Sequence, residues 1–407
     1  MTSENSTSGE VREPHILRAA AILAASSLTL FAMAGVSPAL PAIARAYSDI
    51  AGIELLAPMV LTITAIAIAV TAPFAGLVID KFGRKPVLVC ALLLYLVAGL
   101  APVWLDSLPA ILASRALLGI AAGSILTVST TLIGDFYEGA ARNRMAGVQF
   151  ACMGLAMAVG TAVAGILADI GWHLPFYMYA VAVLVLPLAW FGVREPRISR
   201  AETVESMTVD VARDIPVAGI ALIYALVLAG MMSTFLVPSQ MPFLLPEIGV
   251  PEAWIAGFAI ALFNLVTAGT ATAFRWLRAR LDNRALLAGS FFFLGSGLLL
   301  AATATGPGQA LVGMLIAGIG FGPLMPTLNA WLLSLAPVTV RGRLVGGLTF
   351  CQFLGFFLSP FFVHPVAERL DMTGAFAITG LGQLALALVF AGTLVSAFLA
   401  GRLKGAP

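Results

Sequence analysis

Asp80 stands among cations in the run Gly76-Leu-Val-Ile-Asp80-Lys81-Phe-Gly83-Arg84-Lys85-Pro86. An acid beside three bases at a helix end suits a latch, an ion pair made in one conformation and released in another. Gly76 would allow close helix approach, and Gly83 a tight turn presenting Arg84 and Lys85. The plainer alternative is a basic loop that only sets topology. Arg115 lies inside an apolar run, where keeping a guanidinium costs at least about 2.5–3.5 kcal/mol. That cost favours a role in substrate binding or coupling over a structural role capping backbone carbonyls. Asp135 follows about 30 Å along an unbroken helix, too far for direct contact with Arg115.

The chemistry that is missing narrows the function. None of the 20 acids falls in the middle of an apolar run, and His15, His173 and His364 all lie outside such middles. There is no H-E-x-x-H, no G-x-S-x-G and no G-x-x-x-x-G-K-[ST], so neither hydrolysis nor direct use of ATP is indicated. Cys90, Cys152 and Cys351 sit in apolar runs with no metal-site or disulfide spacing. No metal and no cofactor are implied. The groups left to line a cavity are neutral: Gln149, Gln240, Asn264, Asn329 and Gln352, with Thr62, Thr64 and Gln383. Each has a plain alternative as an interhelical hydrogen-bonding group worth about 0.6 kcal/mol. The phenylalanines of 291–293 and 356–362 read first as packing or lipid-facing residues. Pro238, Pro242 and Pro246 are expected to break a helix near its outer end and form an external gate.

These residues need elements to hold them. The 407 residues are 60% hydrophobic and 10% charged, against roughly 25% charged in a soluble domain, so a water-soluble globule is excluded. A formal charge of +2 implies no nucleic-acid partner. Runs of the roughly 20 apolar residues that cross a bilayer recur twelve times, at 17–37, 57–79, 86–104, 108–132, 145–168, 174–193, 215–238, 253–274, 285–304, 308–332, 345–363 and 374–400. They are apolar all round, which excludes a β-barrel. The first exceeds a signal-peptide core and has no small-residue cleavage site, so it reads as a retained span. Nineteen of the 22 Lys and Arg lie in alternate connections or tails, which predicts that both termini are cytoplasmic. The opposite face carries Asp49, Glu54, Asp106, Asp169, Glu247, Glu252, Glu368 and Asp371.

Self-similarity organises the chain further. Gly119-Ile120, Gly123, Arg142-x-Arg144 and Gly147 recur as Gly318-Ile319, Gly322, Arg341-x-Arg343 and Gly346, all offset by 199 residues. The expected layout is a tail at 1–16, one six-helix half at 17–193, a cytoplasmic loop at 194–214, a second half at 215–400 and a tail at 401–407. Duplicated halves are how transporters place a substrate path at the repeat interface.

The run from Gly76 to Lys85 resembles the signature loop of the major facilitator superfamily, G-x-x-x-D-[RK]-x-G-R-[RK], and Arg115-Ala-Leu-Leu-Gly119 resembles the R-x-x-x-G motif of its proton-coupled members. Gly154, Gly160 and Gly165 fall where its exporters are glycine-rich, with Gly160-Thr161 in place of the usual Gly-Pro pair. The resemblance implies an all-α membrane protein of twelve helices in two pseudo-symmetric halves, most similar to the drug and metabolite:proton antiporter branch. It implies that Asp80 locks the inner ends of the halves near the start of the eleventh span, and that Arg84 meets Asp135. It further implies proton-coupled efflux, with Arg115, Asp135 and Asp80 in coupling, and the lack of an acid at mid-span makes a neutral, amphipathic or anionic small molecule the expected cargo. The setting would be a bacterial inner membrane, crossed by a monomer whose partners are substrate, protons and lipid. An uptake symporter or facilitator for a polar nutrient is the alternative within transport. A membrane-embedded acyltransferase or hydrolase is the alternative outside it, disfavoured by the missing general base.

Overall fold

The computed structural model describes residues 15–195, 216–337 and 340–404. Most of the central loop, including Arg197, Arg200 and Arg213, lies outside them, as do Arg12 and both extreme tails. The helices are α1 (His15–Ala34), α2 (Leu40–Ala46), α3 (Ile53–Phe82), α4 (Arg84–Leu100), α5 (Leu108–Phe136), α6 (Gly139–Ile170), α7 (Ala182–Gly192), α8 (Val217–Glu247), α9 (Ala253–Arg278), α10 (Asn283–Ala302) and α11 (Pro307–Leu335). Tight 3-10 turns join α1 to α2 and lead into α7. The last helical stretch, Arg341–Lys404, is interrupted by non-helical Leu370 and Asp371, giving α12 (341–369) and α13 (372–404). Asp371 takes a positive φ of 59°, and Glu247 accepts the Met372 N–H with both carboxylate oxygens, capping α13. Among the described residues eleven stretches are long and apolar enough to cross a membrane, and dividing the last at Leu370–Asp371 makes twelve. No strand occurs among the described residues.

The boundaries follow local chemistry. Gly83, at φ +93°, ends α3 where a side chain would be strained. α5 and α11 both start with proline in the first turn, where a missing N–H costs nothing. Hydroxyls inside the helices bond back to their own helix, as Thr127 does to the Gly123 carbonyl and Thr161 to that of Met157. Arg142 and Arg144 lie in the first turns of α6 itself, so that helix starts earlier than the apolar run suggests.

The expected break at Pro238–Pro246 is corrected: α8 runs unbroken through all three prolines. Their spacing of four removes three N–H donors along one side of the helix, freeing the carbonyls of Thr234, Pro238 and Pro242. The Ser37 hydroxyl donates to the Pro238 carbonyl, so one freed acceptor is satisfied from the other half of the molecule.

The 199-residue offset governs packing as well as sequence. α5 and α11 have bounds that differ by 199 at both ends. A methyl added to Gly119 would lie 2.5 Å from the Thr64 carbonyl, and one on Gly318 would lie 2.9 Å from that of Phe263; Gly123 faces Ile68 and Gly322 faces Thr267 in the same way. Each pair of partners again differs by 199, so α3 crosses α5 as α9 crosses α11, on a collar of small residues. The halves meet where α6 packs on α9 and α3 on α12.

Candidate functional site

The seam between the halves is closed at one end only. On α8 every residue from Ser233 to Pro242 is buried, whereas Ala218, Ala221, Leu222 and Ala225 are exposed. α1 shows the same gradient, from exposed Ile16 and Ala20 through half-buried Leu23, Ser27 and Leu30 to buried Phe31. The sealed end carries the acidic residues and the open end the basic ones. Gly165 and Gly257 touch backbone to backbone at the acidic end, while Gly147 and Gly269 on the same two helices have no neighbour within 4 Å of an added methyl at the basic end.

At the basic end Asp80, Gly83, Arg84 and Asp135 come together. Arg84 Nε donates to Asp135 Oδ2 at 3.2 Å, with both side chains largely shielded. Its Nη1 lies 3.9 Å from Asp80 Oδ1, one helical turn back. Asp80 is mostly exposed and makes no ion pair or hydrogen bond to α12 among the described residues. Gly76 also lacks the close helix neighbour expected of it, since an added methyl would meet nothing within 4 Å. Both follow from the parting of the halves at this end.

Glu195 gave no signal in the sequence beyond being one acid in a mixed-charge loop. Its Oε1 accepts the Arg84 N–H at 2.7 Å and its Oε2 the Lys85 N–H at 2.9 Å, capping α4. Any side chain at position 83 would collide with this carboxylate at 2.8 Å, a second reason for glycine there. At the related position of the other half Asp282 caps α10 directly through Ala285. Glu195→Ala should therefore weaken the order of the signature loop by about 0.5–2 kcal/mol. Hydrogen exchange at the Arg84 and Lys85 amides should quicken two- to thirtyfold, and unchanged exchange would remove Glu195 from the site.

Arg115 is 1% exposed and points into the first half, away from the seam. Its Nη2 donates to the carbonyls of Ala98 at 2.7 Å and Gly99 at 3.1 Å, in the last turn of α4. The guanidinium stands 5.1 Å from the ring centres of both Phe176 and Tyr179. Tyr179 and Tyr95 in turn donate to the α1 carbonyls of Ala32 and Leu28. A cation on the carbonyl end of a helix, held between aromatic faces, acts as a cap, while its Nη1 is buried with no hydrogen-bond partner among the described residues.

The neutral candidates do not form one cluster. Asn264 lies on the α9 face that carries Gly257 and Ala268, toward α6 across the seam, and its Nδ2 is buried with no partner. Gln149 is three turns before Gly160, on the face toward Phe31 of α1, and its Nε2 is likewise buried and unpaired. Asn329 sits two turns beyond Gly322, toward α9, with an unpaired Oδ1. Gln240 is part of the buried acidic-end seal and Gln352 is half-buried on α12. Thr64 donates to the Arg115 carbonyl, Gln383 bonds Ser233, and Thr62 is buried without a partner. Phe291 stacks on Phe390 and Phe356 on Phe235, while Phe292 is half-exposed on the periphery.

The family model for the Major Facilitator Superfamily matches residues 22–360. A class C tetracycline resistance protein of Escherichia coli is 32% identical over 39% of this chain and 40% of its own length. The match thus spans under half of that relative. A class E tetracycline resistance protein of the same organism is 26% identical over 87% of this chain and 89% of its own. Among solved structures a D-xylose–proton symporter superposes with a TM-score of 0.76 at 17% identity, over 92% of this chain and 97% of that one.

Proposed function

This chain belongs to the Major Facilitator Superfamily and is a membrane transporter, not an enzyme, and on that premise we propose that it exports a neutral, amphipathic or anionic small molecule in exchange for protons. The observation that carries this reading is the seam, sealed at the acidic end and open at the basic end. Its walls are apolar with single neutral amides, and no buried carboxylate occurs among the described residues. A solute entering from the basic, cytoplasmic end meets Asn264 as an unpaired donor. The halves then rock about that level. Asp80 and Asp135 are the acids that take part in coupling, because they flank the cation that must change partners when the basic end closes. Arg115 contributes by holding α4 and α5 to the aromatic cluster. The two relatives are named for tetracycline resistance, an outcome that export of a drug would produce, and on this reading the protein works as a monomer in a bacterial inner membrane with both termini in the cytoplasm.

The test compares a deletion strain with an overexpressing strain across a compound panel, followed by proteoliposomes carrying an imposed proton gradient. Neutral and anionic compounds should dominate the hits by at least tenfold over permanent cations, since no acid in the seam offsets the cost of desolvating a cation. Strong gradient-driven efflux of quaternary ammonium dyes would overturn the substrate class, and transport indifferent to the gradient would overturn the coupling.

A further inference from the structure

Asp169 ends α6 in the first half, yet both its carboxylate oxygens bind the second. Oδ1 accepts the Ala253 N–H at 2.7 Å and Oδ2 the Trp254 N–H at 3.1 Å, the first two residues of α9. One turn below, α6 and α9 make their tightest crossing, where a methyl on Gly257 would lie 2.5 Å from the Thr161 carbonyl. Beside it lies a small cavity of about 110 Å³ lined by Arg45, Glu252, Pro41, Pro242 and Ala256. Arg45 and Glu252 are the charged groups there besides Asp169. The residue 199 positions on, Glu368, pairs instead with His364 on its own helix at 3.7 Å. The symmetry-related seam between α3 and α12 therefore has no such bridge among the described residues.

From this we infer that Asp169 is the latch of the acidic end, a carboxylate of one half capping a helix of the other, and that it holds the protein in the state open at the basic end. Opening the acidic end must pull α9 away from α6 and uncap it, exposing two N–H groups and the positive end of a 26-residue helix. The Asp80–Arg84–Asp135 group works at the opposite end and within one half, so the two devices are chemically distinct and sit at opposite ends of the same seam. The inference assumes alternating access but no substrate.

The test is cysteine accessibility without substrate, in a background carrying Cys90→Ser, Cys152→Ser and Cys351→Ser. Ala42→Cys reports the acidic-end cavity and Ala20→Cys the exposed face of α1 at the basic end. Asp169→Ala should raise the maleimide labelling rate at position 42 about three- to thirtyfold and lower it at position 20. Asp169→Asn, which keeps one acceptor, should move both rates the same way by less, and it serves as the test where the alanine variant does not reach the membrane. Unchanged labelling at position 42, or a rise at both positions from general loosening, would overturn the latch. Because the readout needs no transported compound, its failure is separable from failure of the export reading.

Discussion

Arg84→Ala is expected to slow transport about ten- to hundredfold at matched expression, with membrane insertion nearly unchanged. Arg84 is poised between Asp135 and Asp80, both in its own half and at the basic end of the seam. A shielded, charge-assisted bond of this kind carries coupling energies of about 0.5–3 kcal/mol, and every 1.4 kcal/mol moves a conformational equilibrium tenfold. Asp135→Asn should cost a similar factor. The double variant should be little worse than either single one, because both remove the same bond. Asp80→Asn should also slow transport while leaving the Arg84–Asp135 pair intact, since its carboxylate is mostly exposed in this state and, in the proposed cycle, pairs when the basic end closes. Wild-type rates for Arg84→Ala and Asp135→Asn together would mean that the pair is a static staple.

The second large effect is on stability. Arg115→Ala should lose about 3–5 kcal/mol, because it strands the Ala98 and Gly99 carbonyls in a dry interior and empties the space between Phe176 and Tyr179. Thermal unfolding of the purified protein in detergent should fall clearly, with less protein in the membrane, while transport per folded molecule stays within a few-fold of wild type. The second half has Met314 at the related position, fully buried, so the six-helix architecture does not itself demand a charge there. Arg115→Met should accordingly recover part of the packing but not the two hydrogen bonds, and Arg115→Lys part of the bonding but not the planar stacking. Normal stability of Arg115→Ala with loss of gradient-driven accumulation would return Arg115 to the coupling machinery.

The sequence was most legible where a single physical rule dominates. Hydrocarbon thickness sets helix length, so the apolar runs marked the helices, and their ends slipped where a polar turn such as 139–144 continues the helix past the apolar stretch. The spacing from Asp80 to Arg84 marked a helix end and a charged turn, which the structure places at Gly83, whereas the close helix approach expected at Gly76 is absent. Burial of Arg115 was evident, but its direction was not: composition prices a charge in the membrane and cannot say whether a helix end or a ligand satisfies it. Glu195 and Asp169 were invisible for a related reason. Each works by accepting backbone N–H groups that any sequence possesses, so its partner leaves no mark in the residue types. The prolines of α8 misled because a missing donor reads as a break, whereas a buried helix survives it when another acceptor or donor, here the Ser37 hydroxyl, fills in.

Those prolines also make α8 mechanically uneven. A helix resists bending through its ladder of N–H to carbonyl bonds, and between Thr234 and Pro246 three rungs are absent on one side while the rest of the helix keeps its own. This stretch is the compliant segment of an otherwise stiff rod. Load applied when the two halves rock will concentrate there as curvature, so that the acidic third of α8 flexes while the basic two-thirds moves as a lever.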